Sequence, residues 1–110
     1  MKPAADDFLP LAPATLHILL ALAGENLHGY GIMLEVLRQS DGRYRLGPGT
    51  LYDNLQRLMK QELVEELDGG DPRRRTYRLS SLGKGVLSAE IVRLEGVVKE
   101  AKLHLKPRRA

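Results

Sequence analysis

Apolar residues recur with a helical period along most of the chain, and the period breaks only around residues 63–79. The first periodic stretch follows Pro13 and stops at Gly24. Proline at a start and glycine just past an end predict a helix over 12–23. Its residues are hydrophobic on most sides, so it should be buried, in part by another subunit. A second helix is expected over 29–39, with Ile32, Val36 and Leu37 on one face and Asn26 and His28 supplying polar groups near its start. Asp41-Gly42 reads as a turn. A third helix begins at Pro48 and runs to about residue 61, turning Leu51, Leu55, Leu58 and Met59 inward. Its other face carries Thr50, Tyr52, Asp53, Gln56, Arg57 and Lys60.

Where the period breaks, residues 63–67 read as a short strand with imperfect alternation. Residues 68–72 are a turn by composition, and residues 75–79 are a second strand rich in β-branched and aromatic side chains. The pair makes a hairpin whose tip holds Arg73-Arg74-Arg75. A fourth helix, capped by Ser80 or Ser81, is expected over 82–105, with a frayed tail from Pro107.

This last helix has the clearest period of all. Leu87, Ile91, Leu94, Val98, Ala101 and Leu105 are spaced four, three, four, three and four residues apart, an a/d seam flanked by Arg93, Glu95, Lys99, Glu100 and Lys102. Such a stripe could serve only the chain's own core. It extends beyond what three short helices can cover, however, which favours a second copy as partner. Gly96 in the interior weakens a long coiled coil.

Three helices followed by a hairpin is the order of a winged helix-turn-helix, in which the third helix enters the major groove of DNA. The expected fold class is therefore mainly α with a small β-hairpin. Residues 12–79 would form a DNA-binding domain and residues 80–105 a C-terminal dimerisation helix. At 110 residues there is room for one such unit, and so short a chain gains considerably from a partner subunit. Charge is uneven: residues 43–78 hold eight bases, concentrated at Arg43, Arg45, Arg57, Lys60 and the arginine run, against two bases in residues 1–42. That clustering suits a polyanion, or else a solvated surface.

Four segments in order resemble the PadR family of bacterial transcriptional regulators: Leu22 to Leu37 with its His-Gly-Tyr-Gly core, Leu46-Gly-Pro-Gly-Thr-Leu-Tyr, Leu55-Gln-Arg-Leu, and Arg73-Arg-Arg-Thr-Tyr-Arg-Leu-Ser-Ser-Leu-Gly. The single C-terminal helix is similar to the compact subfamily, whose members are dimers. The resemblance places Tyr30 and Thr50-Leu51-Tyr52 where the family meets DNA. Tyr30 would donate its hydroxyl to a phosphate, or else be a half-buried core residue. Thr50, Tyr52 and Gln56 would face the groove, and Arg73 and Arg74 would be wing contacts. Asp53 would read a cytosine amino group or pair with Arg57 one turn on. Tyr77 reads as core, His28 as a cap or turn residue, and Gly29, Gly47 and Gly49 as backbone requirements for turns and helix starts. Some members of the subfamily bind flat hydrophobic compounds at the dimer centre, which here would lie near Leu16, His17, Ile91, Leu94 and Val98. Leu94 stands where such drug-binding relatives carry a stacking tryptophan.

No catalytic constellation is visible. The three histidines lack metal-ligand spacing, there is no cysteine, and Gly47-Pro48-Gly49-Thr50 lacks the lysine of a phosphate-binding loop. No enzyme activity, metal or cofactor is expected. Neither a signal peptide nor a membrane span is recognisable, so a cytoplasmic location is expected. The resulting expectation is a homodimeric repressor that binds a palindromic operator in double-stranded promoter DNA and is released by a small hydrophobic effector. The alternative is a small-molecule-binding or protein-interaction winged-helix module with weak or no DNA binding.

Overall fold

The computed structural model describes residues 3–67 and 75–107. Residues 68–74, which include the expected turn with Arg73 and Arg74, and residues 108–110 at the end of the expected tail, lie outside the described residues. A short 3-10 turn (Ala5–Phe8) leads into α1 (Pro13–Gly24), β1 (Leu27–His28), α2 (Gly29–Gln39), α3 (Pro48–Lys60), β2 (Val64–Leu67), β3 (Thr76–Leu79) and α4 (Ser81–His104). The expected helices and hairpin are all present. Strand β1 was not anticipated, because two residues carry no period.

The three strands form one antiparallel sheet in the order β1-β3-β2. Leu27 lies opposite Tyr77, and Val64 opposite Leu79. The register also explains the imperfect alternation of β2. Glu66 lies opposite Tyr77, on the face that Val64 and Leu79 turn to the core, but at the outer end of the hairpin where it can reach Arg75.

Both helices of the helix-turn-helix end in the same way. After α3, Glu62 N–H donates to the Met59 carbonyl and Leu63 N–H to the Leu58 carbonyl, with Glu62 at a left-handed φ of 62°. After α2, Asp41 at φ 52° and Gly42 repeat that double bond onto Arg38 and Leu37. These pairs satisfy the last carbonyls of each helix and turn the chain sharply.

The core joins Ile18, Leu19 and Leu22 of α1, Ile32 and Val36 of α2, Leu51, Leu55 and Leu58 of α3, and Leu63, Val64, Tyr77 and Leu79 of the sheet region, closed by Val86 and Leu87 of α4. Helix α4 starts on the sheet. The Ser80 hydroxyl caps it by accepting from Gly83 N–H at 2.9 Å and also donates to the Glu62 carbonyl at 2.6 Å. At Gly83 the helix lies so close to the backbone of Leu63 that an added Cβ would collide with its carbonyl oxygen. Beyond Glu90, almost every residue of α4 is exposed. Among the described residues, no helix is long and apolar enough to cross a membrane.

Candidate nucleic-acid interface

Helix α3 buries Leu51, Asn54, Leu55 and Leu58 and turns Thr50, Tyr52, Asp53, Gln56, Arg57 and Lys60 to solvent. Tyr30, the second residue of α2, is 63% exposed, so its half-buried core alternative does not hold. Tyr77 is buried, and burial pushes its hydroxyl up from the ordinary tyrosine range. His28 caps α2, its Nδ1 accepting from Gly31 N–H at 3.0 Å.

Three glycine assignments need correction. Gly29 lacks the positive φ a turn would demand; a Cβ there would instead meet the Tyr52 hydroxyl, and the Tyr52 side chain would have to shift. The Tyr52 ring thus bridges the start of α2 and the outer face of α3. Gly47 has an ordinary φ of −82°, neither it nor Gly49 has positive φ, and nothing lies within 4 Å of a Cβ built on either. Their backbone conformations do not demand glycine.

The base of α3 is fastened to α1 by a polar cluster. The Thr15 hydroxyl donates to Asn54 Oδ1 at 2.9 Å, both residues being buried. Asn54 Nδ2 donates to the Thr50 carbonyl at 2.8 Å. Arg57 Nη2 donates to Asn54 Oδ1 and, at 3.3 Å, to Thr15 Oγ1. The expected pairing of Asp53 with Arg57 is therefore absent. Arg57 turns back onto neutral oxygens, because Asn54 one turn earlier offers it a buried acceptor.

On the hairpin, Arg75 pairs with Glu66 at 3.5 Å and Arg78 with Glu65 at 2.9 Å. Arg73 and Arg74 lie outside the described residues.

The residues expected around an effector separate into two places. Ile91, Leu94 and Val98 line a shallow open groove on α4 with Glu95, Lys99 and Lys102. Leu16 and His17 do not line that groove. The His17 imidazole instead stacks on Tyr44, with ring centroids 4.3 Å apart. Along the expected seam, Leu87 is only 7% exposed and belongs to the chain's own core, whereas Ile91, Val98 and Leu105 are 37%, 49% and 80% exposed.

Sequence reasoning missed Glu90, which is fully buried on α4. It accepts from Leu11 N–H at 2.8 Å and from the Arg93 guanidinium, tying the N-terminal segment to α4. The Arg93 hydrogen bond holds its carboxyl below the usual range, against the opposing effect of burial. Thr15, Asn54 and Tyr44 were missed as well. Among the described residues, no group of three histidine, cysteine or carboxylate side chains could hold a metal.

The chain is similar to proteins of known sequence and structure. An uncharacterized protein X of Lysinibacillus sphaericus is 36% identical over 88 residues, covering 76% of this chain and 78% of that one. Transcriptional regulator Rv3488 of Mycobacterium tuberculosis is 37% identical over 91 residues, covering 81% of this chain and 82% of the relative. A transcriptional regulator from Clostridium thermocellum superposes with a TM-score of 0.74 at 25% identity, covering 84% of this chain and 90% of that chain. A PadR family transcription regulator from Clostridium difficile R20291 shares the fold, with a TM-score of 0.71 at 21% identity over 86% of this chain and 99% of its own. The model of the transcriptional regulator PadR-like family, whose members are regulators and not enzymes, matches residues 18–89. This chain belongs to the PadR-like family of transcriptional regulators.

Proposed function

We propose that this regulator binds double-stranded promoter DNA as a homodimer and represses by occluding the promoter. Residues 12–79 act as the DNA-binding unit, and the helix within residues 80–105 supplies the dimer contact. The observation that carries the reading is the division of α3. One face is spent entirely on the core, and the other presents six polar or charged side chains, with Tyr30 exposed at the start of α2. A helix so divided fits the major groove, where Thr50, Tyr52 and Gln56 meet base edges and groove walls. Asp53, with no arginine to neutralise it on its own helix, accepts from a cytosine amino group. Lys60 and the Tyr30 hydroxyl meet phosphate, as do Arg73 and Arg74 from the wing. Arg57 joins them from the fixed position that Asn54 and Thr15 impose.

Dimerisation is supported by the exposed apolar side chains Ile91, Val98 and Leu105 and the half-buried Leu94, with Ala101 between them. Burying each large one stabilises by roughly 1.5–3 kcal/mol. Two-fold symmetry then sets the two copies of α3 about one DNA turn apart, near 34 Å, on a palindromic operator. Release by a small hydrophobic effector would need a site assembled from both copies, since one chain does not bring Leu16 and His17 to the α4 groove.

Gel-shift titration against promoter fragments and random DNA tests the reading. Preference for a palindromic site is expected, and Gln56→Ala should change the ranking of sites more than the total affinity. Equal, weak binding to every fragment would favour an interaction module instead.

A further inference from the structure

We infer that Arg43 and Arg45, in the segment between α2 and α3, form a second phosphate-binding strip that grips the DNA backbone beside the groove occupied by α3. The inference rests on the DNA-binding reading above and adds to it a surface that neither the recognition helix nor the wing supplies.

The arginines of the described residues fall into distinct groups. Arg38, Arg75, Arg78 and Arg93 are each paired with a glutamate. Arg57 is held by Asn54 and Thr15. Arg43 and Arg45 are exposed, and no carboxylate among the described residues lies within 4 Å of either, although Asp41 and Asp53 are close in sequence. Residues 43–50 contain no acid at all. In a chain that neutralises most of its other described arginines internally, these two keep their charge for something outside it.

Their backbone is pinned. Tyr44 N–H donates to the Ser40 hydroxyl at 3.0 Å, the Tyr44 ring stacks on His17 of α1, and Leu46 is buried in the core. With Tyr44 and Leu46 turned inward, Arg43 and Arg45 stand outward on an anchored strip. Binding through such a strip orders little that is not ordered already. Position supplies the partner. Arg45 precedes Thr50 by five residues, so even a fully extended chain could separate them by no more than about 18 Å. The major groove is about 12 Å wide, and a helix lying in it brings residues just before its start to the phosphates of the groove wall. A guanidinium suits a phosphodiester oxygen in geometry as well as charge.

The experiment is a salt titration of DNA binding by fluorescence anisotropy, on a promoter fragment and on random duplex. The intact wild-type chain is compared with Arg43→Gln/Arg45→Gln, each single variant, and Arg38→Gln as a paired-arginine control. If each arginine meets one phosphate in each subunit, the slope of log K against log salt should flatten by about four units in the double variant. Affinity should fall alike for both DNAs, each single variant should show about half the effect, and Arg38→Gln should leave the slope in place. Wild-type binding with a slope unchanged in the double variant would overturn the strip alone. A fall confined to the preferred sequence would also overturn it, because these residues would then be reading bases. Failure of the wild type to bind any DNA would overturn the DNA-binding reading and the strip with it.

Discussion

The two ends of α4 are built on different terms. From Gly83 to Glu90, the inward positions Gly83, Val86, Leu87 and Glu90 are buried against the sheet, α1 and the N-terminal segment. From Ile91 to Leu105 the same helical face continues with Ile91, Leu94, Val98, Ala101 and Leu105, and among the described residues nothing covers it beyond partial burial of Leu94. A helix of 24 residues is about 36 Å long, so half of it projects past the core that anchors it. The difference teaches that one apolar stripe can carry two functions in sequence: its first turns complete a fold, and its later turns are free to complete an assembly. The boundary falls at Glu90 and Arg93, where a buried carboxylate and a half-exposed guanidinium meet.

The comparison breaks most visibly at Leu94. Leu94→Glu places like charges together at the proposed two-fold axis and should convert a dimer of 12.3 kDa chains into monomers. Sedimentation equilibrium at micromolar concentration would show it, with far-UV circular dichroism confirming that the head stays folded. A variant that remains dimeric would mean the distal face is not the contact.

Gly83→Ala attacks the other end. The added methyl collides with the Leu63 carbonyl, and overpacking of this kind costs about 1–3 kcal/mol, or more against a rigid backbone. Urea denaturation should register the loss in the head, while the folded chains still associate.

At the boundary, Glu90→Ala removes the acceptor of Leu11 N–H and the partner of Arg93. Loss of charged hydrogen bonds of this type is worth about 1.5–3 kcal/mol. Because the Arg93 hydrogen bond holds the Glu90 carboxyl below its ordinary 4.5, the stabilisation is fully present above that value. It disappears as pH falls through the lower folded-state value. Thermal melts of wild type and variant should therefore differ at neutral pH and converge under acid conditions.

The smallest effect sharpens the picture. Gly96 has nothing within 4 Å of an added Cβ, so Gly96→Ala should stabilise the distal helix by roughly 1 kcal/mol through backbone entropy alone. Gly83→Ala and Gly96→Ala then shift the melting temperature in opposite directions, though both replace a glycine inside the same helix.

Much of this molecule was legible in its pattern of apolar positions. The bounds of α2 and the proline starts of α1 and α3 follow from local signals, and so does the outward face of α3. What escaped has a common form. Thr15, Asn54 and Glu90 each occupy an inward position of a helical stripe otherwise made of apolar or small residues: Thr15 with Ile18, Leu19 and Leu22, Asn54 with Leu51, Leu55 and Leu58, and Glu90 with Gly83, Val86 and Leu87. A polar group at such a position must find a partner or cost the fold dearly. Periodicity can reveal that it needs one, but not which.

By itself, then, the sequence determined the order and type of the four helices and the hairpin strands, because helix period, proline and glycine punctuation and turn composition act within a few residues. It also determined that α4 carries more apolar surface than its own domain can use. Only the tertiary structure decided that Asn54 joins Thr15 across 39 residues and that Arg57 turns to them instead of to Asp53. It alone set Gly29 beneath Tyr52 and Gly83 on Leu63, and ended the self-covered part of α4 at Glu90. These are meetings between segments far apart in the chain, and their geometry depends on how whole helices pack, which no local pattern encodes.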